Sequence, residues 1–101
     1  GVLLVYDTFC TVSIEDSTIA SNAQNGIGIA NGAKIGALTL SNTAVQGNKS
    51  SGIYIASPGT TISSGLFDAV TLATNRYEGL HIENGAAFGD VTISGGAIQG
   101  N

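Results

Sequence analysis

An all-β solenoid, specifically a right-handed parallel β-helix of about four coils with three short strands per coil, is the fold class that three observations predict. Asn22, Asn48, Asn75 and Asn101 recur 26, 27 and 26 residues apart, a period in the range of stacked-repeat architectures. The first three of them open the same phrase: Asn-Ala-Gln-Asn-Gly-Ile-Gly-Ile, Asn-Lys-Ser-Ser-Gly-Ile-Tyr-Ile and Asn-Arg-Tyr-Glu-Gly-Leu-His-Ile. Fifteen glycines, one proline and many Val, Ile, Thr, Ser and Asn residues favour short strands joined by tight turns over helices. With 43% hydrophobic and 10% charged residues the chain has enough apolar content to fold.

The elements follow in a fixed order within each repeat. After the asparagine comes a glycine, Gly26, Gly52 or Gly79, and then an apolar pair separated by one residue: Ile27/Ile29, Ile53/Ile55 and Leu80/Ile82. That alternation is the period of a half-buried strand. A second glycine, Gly32, Gly59 or Gly85, stands in the turn contexts Ala-Asn-Gly, Ser-Pro-Gly and Glu-Asn-Gly, and the extra Pro58 accounts for the longer middle period. An apolar anchor follows at Ile35, Ile62 and Phe88. Next comes the alternating strand Leu38-Thr39-Leu40, matched by Val91-Thr92-Ile93 and more loosely by Gly65-Leu66-Phe67. The last strand carries one apolar residue three places before the asparagine: Val45, Leu72 and Ile98. The first coil joins through Val12-Ser13-Ile14, Ile19 and Asn22, and its opening strand, Val2 to Tyr6, has a register placed to within one residue. The coils thus run over about 1–22, 23–48, 49–75 and 76–101 of a single segment.

None of these strands can bury an apolar side alone. If each repeat makes one turn, equivalent strands lie about 4.8 Å apart in parallel ladders and their inward side chains pile into columns. The columns are Ile27–Ile53–Leu80, Ile29–Ile55–Ile82, Leu40–Phe67–Ile93 and Val45–Leu72–Ile98. A leucine-rich repeat has a similar length, but the Leu-x-x-Leu-x-Leu spacing is missing and no stretch suits a helix.

Composition excludes several functions. A net charge of −4 with three Lys and Arg residues cannot build the basic stripe that neutralises a phosphate backbone, so nucleic acid is not the expected partner. Cys10 is the only cysteine and His81 the only histidine, which leaves no internal disulfide, no structural zinc site and no metal or cofactor to expect. The longest apolar run, Val2 to Tyr6, is far too short for a helical membrane span, and no charged region precedes it as in a signal peptide. With no methionine and a first residue of Gly1, the sequence reads as an interior or processed piece of a longer protein.

From Val12 to Asn101 the chain resembles the right-handed parallel β-helices grouped with pectin and pectate lyases, which include phage tailspikes, polysaccharide lyases, polygalacturonases and mannuronan epimerases. The coil length, the Asn-x-x-x-Gly-Ile-x-Ile phrase and the recurring asparagine carry the resemblance. It implies that Asn22, Asn48, Asn75 and Asn101 form a hydrogen-bonded ladder inside one turn, a structural role. The charge-poor, Gly/Ser/Thr/Asn-rich coils without long turn insertions resemble shaft or spike material. The implied function is a carbohydrate-facing segment of a phage tailspike or similar surface appendage, on a virion tail or at the cell surface, with a host polysaccharide as partner and a homotrimeric parent. A fragment of an extracellular polysaccharide lyase, hydrolase or epimerase is the alternative, and a bacterial adhesin passenger domain is a second. In an enzyme of this kind the site would lie mainly on other coils or between subunits.

Several residues are candidates for chemistry. Between the inward isoleucines the repeat alignment makes an outward column of Gly28, Tyr54 and His81. Tyr54 and His81 on adjacent coils offer an amphipathic aromatic face on which a sugar ring could lie, although tyrosine is equally at home on ordinary sheet surface. Lys49 and Arg76 align just after the ladder, where they could hold a saccharide carboxylate or simply be solvated charges at a turn. Glu78 and Glu83 flank the His81 strand, and Glu83 joins the candidate ligand-binding set. Acid–base work on a glycosidic bond needs two carboxyl groups about 5 to 9.5 Å apart. The column Glu15, Ser41, Asp68, Ser94 sets Glu15 and Asp68 two coils apart, about 9 to 10 Å by strand spacing, the only candidate catalytic pair. Asp16 and Asp90 join no cluster. The grouped acidic, basic or calcium-binding residues of the family's lyases and epimerases are not present here, nor is a paired aspartate beside the histidine.

Three further patterns fail on physical grounds. Asn48-Lys49-Ser50 matches a glycosylation acceptor, but a ladder asparagine points inward. Gly26-Ile27-Gly28 is similar to the start of a dinucleotide-binding loop, yet Asn31 stands where the third glycine is needed and a strand replaces the helix. The outward column Ser13, Thr39, Leu66, Thr92 is too interrupted for an ice-binding array.

Overall fold

Within each coil the three strands do not pair with one another; every strand pairs only with its equivalents one coil away. The computed structural model describes all residues from Gly1 to Asn101. The first coil holds β1 (Val2–Val5), β2 (Thr8–Glu15) and β3 (Thr18–Ala20), and the second β4 (Ile27–Ala30), β5 (Lys34–Ser41) and β6 (Ala44–Gln46). The third holds β7 (Ile53–Ile55), β8 (Thr61–Asp68) and β9 (Thr71–Ala73), and the fourth β10 (Leu80–Ile82), β11 (Ala87–Ser94) and β12 (Ala97–Gln99). They form three parallel four-stranded sheets, β1-β4-β7-β10, β2-β5-β8-β11 and β3-β6-β9-β12. This is a parallel β-helix of about four turns, as the repeat predicts.

The register reproduces the predicted columns. Ile53 pairs with Ile27 and Leu80, Ile55 with Ile29 and Ile82, Phe67 with Leu40 and Ile93, and Leu72 with Val45 and Ile98. In the two middle coils these side chains are all at 0 or 1% exposure, and each contributes about 1.5–3 kcal/mol by leaving water. The first strand settles as Val2 opposite Ile27 and Leu4 opposite Ile29, so Tyr6 falls in the turn beyond β1.

Two local features depart from the simple pattern. The anchor and the alternating strand are one eight-residue strand in each coil, in which the ladder skips Cys10, Gly36, Ser63 and Gly89. Ile35 and Leu38 are both buried three residues apart, so the skipped position is where the alternation resets. In the same sheet Gly65 interrupts an inward column between Leu38 and Val91. The gap is filled from the next coil: a Cβ on Gly65 would lie 2.4 Å from Phe88 Cζ, and the Phe88 ring meets Phe67 edge-on with centroids 6.4 Å apart.

Each corner turns on left-handed backbone. Between the second and third sheets the left-handed residues are Asp16, Asn42, Ala69 and Gly95, and between the third sheet and the next coil they are Ser21, Gly47, Thr74 and Gly100. Asn, Asp and Gly suit such positions; Ala69 and the β-branched Thr74 do not. At this last corner lies the asparagine ladder. Asn22, Asn48 and Asn75 each donate from the backbone N–H (3.0–3.1 Å) and from Nδ2 (2.8–2.9 Å) to Oδ1 of the next asparagine. Nδ2 of Asn48, Asn75 and Asn101 also donates back to the carbonyls of Ile19, Val45 and Leu72. No buried side-chain polar atom is left without a partner, which is why a polar residue can repeat inside an apolar prism.

In the fourth coil the inward residues Ile82, Val91, Ile93 and Ile98 keep 40 to 52% exposure within these 101 residues.

Candidate functional site

The outward side of the first sheet, at the third and fourth coils, is where polar and aromatic side chains gather. In β7, Ile53 and Ile55 point into the core, so strand alternation turns Tyr54 outward; in β10 the same alternation turns out His81. The two are direct ladder partners, and their rings meet edge-on with centroids 5.5 Å apart and an interplanar angle of 82°. Glu83 follows β10, held by its N–H bond to the Ile55 carbonyl, and Glu78 precedes it, its carbonyl accepting from Gly52 N–H.

These four side chains, with Ser51, form one hydrogen-bonded cluster. His81 Nδ1 lies 3.0 Å from Glu78 Oε2, and Nε2 lies 3.2 Å from Glu83 Oε2. The Tyr54 hydroxyl donates to Glu83 Oε1, and the Ser51 hydroxyl donates to Glu78 Oε2 at 3.1 Å. The Nδ1 contact is a hydrogen bond when that nitrogen carries the hydrogen, whereas the Nε2 contact is a close approach that becomes an ion pair when the ring is protonated. The side chains of His81, Glu83 and Glu78 are 31, 35 and 55% exposed, so the cluster stands on the surface, within reach of a ligand.

The electrostatics follow from these contacts. The hydrogen bond to Glu83 raises the Tyr54 hydroxyl above its ordinary pKa, helped by partial loss of water and by the charge of Glu83. Glu78 is held below the usual carboxylate range chiefly by the hydrogen bond from its own backbone N–H to its carboxylate; lost water opposes this, and the contacts with Ser51 and His81 add to the lowering. A carboxyl group shifted this way stays ionised and makes a poor proton donor. The His81 ring also occupies the space between the two carboxylates, where a scissile bond would have to sit in a glycosidase pair. The cluster is arranged to hold two aromatic faces and two charges rigidly in place.

The other predicted residues lie elsewhere. Glu15 and Asp68 do occupy one column, each paired with Ser41, on the outer side of the second sheet. Both are exposed; Glu15 takes a 3.4 Å bond from the Ser13 hydroxyl, and Asp68 makes no side-chain hydrogen bond within the chain. Nearby, Asp16 accepts from Asn42 Nδ2 at 2.9 Å across the corner. Lys49 and Arg76 stack on successive coils, their N–H groups donating to the carbonyls of Asn22 and Asn48. Neither side chain is ion-paired, since both ion pairs of the chain belong to His81, and the Arg76 guanidinium lies 5.6 Å from the centre of the Tyr77 ring. Asn48 and Asn75 are 2% exposed with their amides spent on the ladder, and no three His, Cys, Asp or Glu side chains converge on a point that could hold a metal ion.

Two members of the cluster, Glu78 in its clamping role and Ser51, were not read from the sequence as ligand-facing. The signal was there: Ser51 stands three residues before Tyr54 and Glu78 three before His81, so the alignment that pairs the rings pairs these two as well. No protein-family model matches the chain, and no curated protein or solved structure matches it either.

Proposed function

We propose that this segment is a rigid, saccharide-facing β-helix of the pectate-lyase-like kind, serving in a phage tailspike or similar surface appendage that recognises a host polysaccharide. The observation that carries the reading is the Tyr54–His81 pair, two outward rings on adjacent coils fixed by two carboxylates on a face that the ladder and apolar columns keep rigid. A sugar presents C–H faces that pack on such rings and hydroxyls that donate to carboxylates, and a platform that is already ordered loses little entropy on binding. The regular coil length, with no turn insertion to wall off a cleft, supports recognition over chemistry within these coils.

The experiment is a binding screen of the chain against bacterial surface polysaccharides, scored for retention and for new reducing or unsaturated ends, with the Tyr54→Ala/His81→Ala double variant alongside. Retention lost in the double variant, without new ends, is the expected result. Retention indifferent to the two substitutions would sink the reading, and new chain ends would move it to a depolymerase.

A further inference from the structure

We infer that the Tyr54–His81 face takes a cationic amino sugar, an unacetylated hexosamine unit, and rejects uronates. The inference rests on the saccharide reading above and specifies its ligand. The donor inventory of the cluster decides it. The side-chain hydrogens an anionic sugar could seek here are the Tyr54 hydroxyl and those on the His81 ring, since Ser51 is buried at 2% exposure. The Tyr54 hydroxyl is spent on Glu83 and the Ser51 hydroxyl on Glu78, and the His81 ring nitrogens Nδ1 and Nε2 already face carboxylate oxygens of Glu78 and Glu83 at 3.0 and 3.2 Å. What faces outward is the remaining acceptor capacity of the two carboxylates. A uronate carboxylate would find these donors already facing carboxylates, and two like charges beside it.

Charge points the same way. Two carboxylates against a single ring that can carry at most one positive charge leave the cluster at least one negative charge in excess, on side chains between 31 and 55% exposed, where an ammonium group can reach them. Lys49 and Arg76, the two cations the sequence offers for a uronate, make no ion pair with the cluster. An amino sugar matches all of this: its C–H face lies on Tyr54, its ammonium donates to Glu83 and Glu78, and its hydroxyls take further acceptor sites. An N-acetyl group would cancel the charge and leave a single amide hydrogen.

The test is titration calorimetry of the chain with tetramers of glucosamine, N-acetylglucosamine and galacturonate, with tetralysine as a control for general charge attraction. The expected result is that the glucosamine tetramer binds about tenfold or more tightly than its acetylated form, the size of one charge-assisted hydrogen bond. Galacturonate should not bind, and salt should weaken the amine complex. Glu83→Gln, which keeps the shape and adds a donor, should erase the preference, and Tyr54→Phe should keep it with the ring still in place. Equal affinity for the acetylated tetramer or tetralysine, binding of galacturonate, or a preference untouched by Glu83→Gln would overturn the inference. Loss of the amine preference with Tyr54- and His81-dependent binding of neutral glycans would leave the saccharide reading standing; failure of every glycan, here and in the wider screen, would remove both.

Discussion

Gly26 and Asn48 are locked together across a coil: a Cβ on Gly26 would lie 2.8 Å from Asn48 Nδ2 and 2.4 Å from Val45 Cγ1. The same relation recurs between Gly52 and Asn75 and between Gly79 and Asn101, at 2.8 and 2.9 Å. Each coil therefore opens on a glycine so that the asparagine closing the same coil can turn its amide inward.

Gly52→Ala should accordingly destabilise by about 2 kcal/mol or more, because its Cβ meets a backbone oxygen, Gly79 O, at 2.7 Å that cannot move without breaking the ladder. Asn75→Ala should cost about 3 kcal/mol, since it strips the acceptor from the Asn48 backbone N–H and amide and orphans buried groups. Urea unfolding followed by circular dichroism measures both; a shift below about 0.5 kcal/mol for either would contradict the ladder's role.

Thr74 offers the opposite sign. It holds a left-handed φ of 52° at the corner where its equivalents in the second and fourth coils are Gly47 and Gly100. Thr74→Gly relieves strain of about 1–2 kcal/mol and costs part of that in chain entropy, so a net stabilisation of about 0.5–1 kcal/mol, read as a higher urea midpoint, is expected.

Inward and outward positions on β7 should separate sharply. Ile55→Asp puts a charge into a filled column at 0% exposure and should cost more than about 4 kcal/mol, whereas Tyr54→Ala on the outer side should cost under about 1 kcal/mol. Thermal melts of the two variants in the reverse order would invert the assignment of faces.

The cluster also makes a titration prediction. A phenol whose folded pKa is raised adds stability that is complete below its unfolded value, about 10, and is lost as pH rises through the folded value. Ultraviolet titration should show one tyrosine ionising late, and Tyr54→Phe should delete that phase. Glu83→Gln should move it to lower pH by removing the carboxylate acceptor. Glu78 behaves in mirror image: its depressed pKa adds stability above the ordinary carboxylate value, lost as pH falls through the folded one.

Taken alone, these 101 residues should associate. Ile82, Val91, Ile93 and Ile98 stand 40 to 52% exposed beside the unpaired edges of β10, β11 and β12, a template for further strands. Light scattering should find species larger than the 10.1 kDa monomer, and Ile93→Lys/Ile98→Lys should reduce them. A monodisperse, stable monomer would count against this.

Much of the fold was legible in the residue order. The period of the asparagines set the coil, and strict alternation around Ile27, Ile53 and Leu80 set which side chains face in, because a strand has a period of two and a parallel ladder matches equivalent positions. The outward column of Gly28, Tyr54 and His81 followed from the same rule. What alternation leaves open is the direction in which an outward side chain leans, along its strand or across to the next coil, since that depends on rotamers chosen against neighbours. Only the tertiary structure could close His81 between Glu78 and Glu83, send the Tyr54 hydroxyl to Glu83, and swing the Phe88 ring over the bare Gly65. Sequence determined the lattice of positions, because backbone hydrogen bonding repeats with the chain; the structure decided the contacts, because side-chain packing is settled between coils.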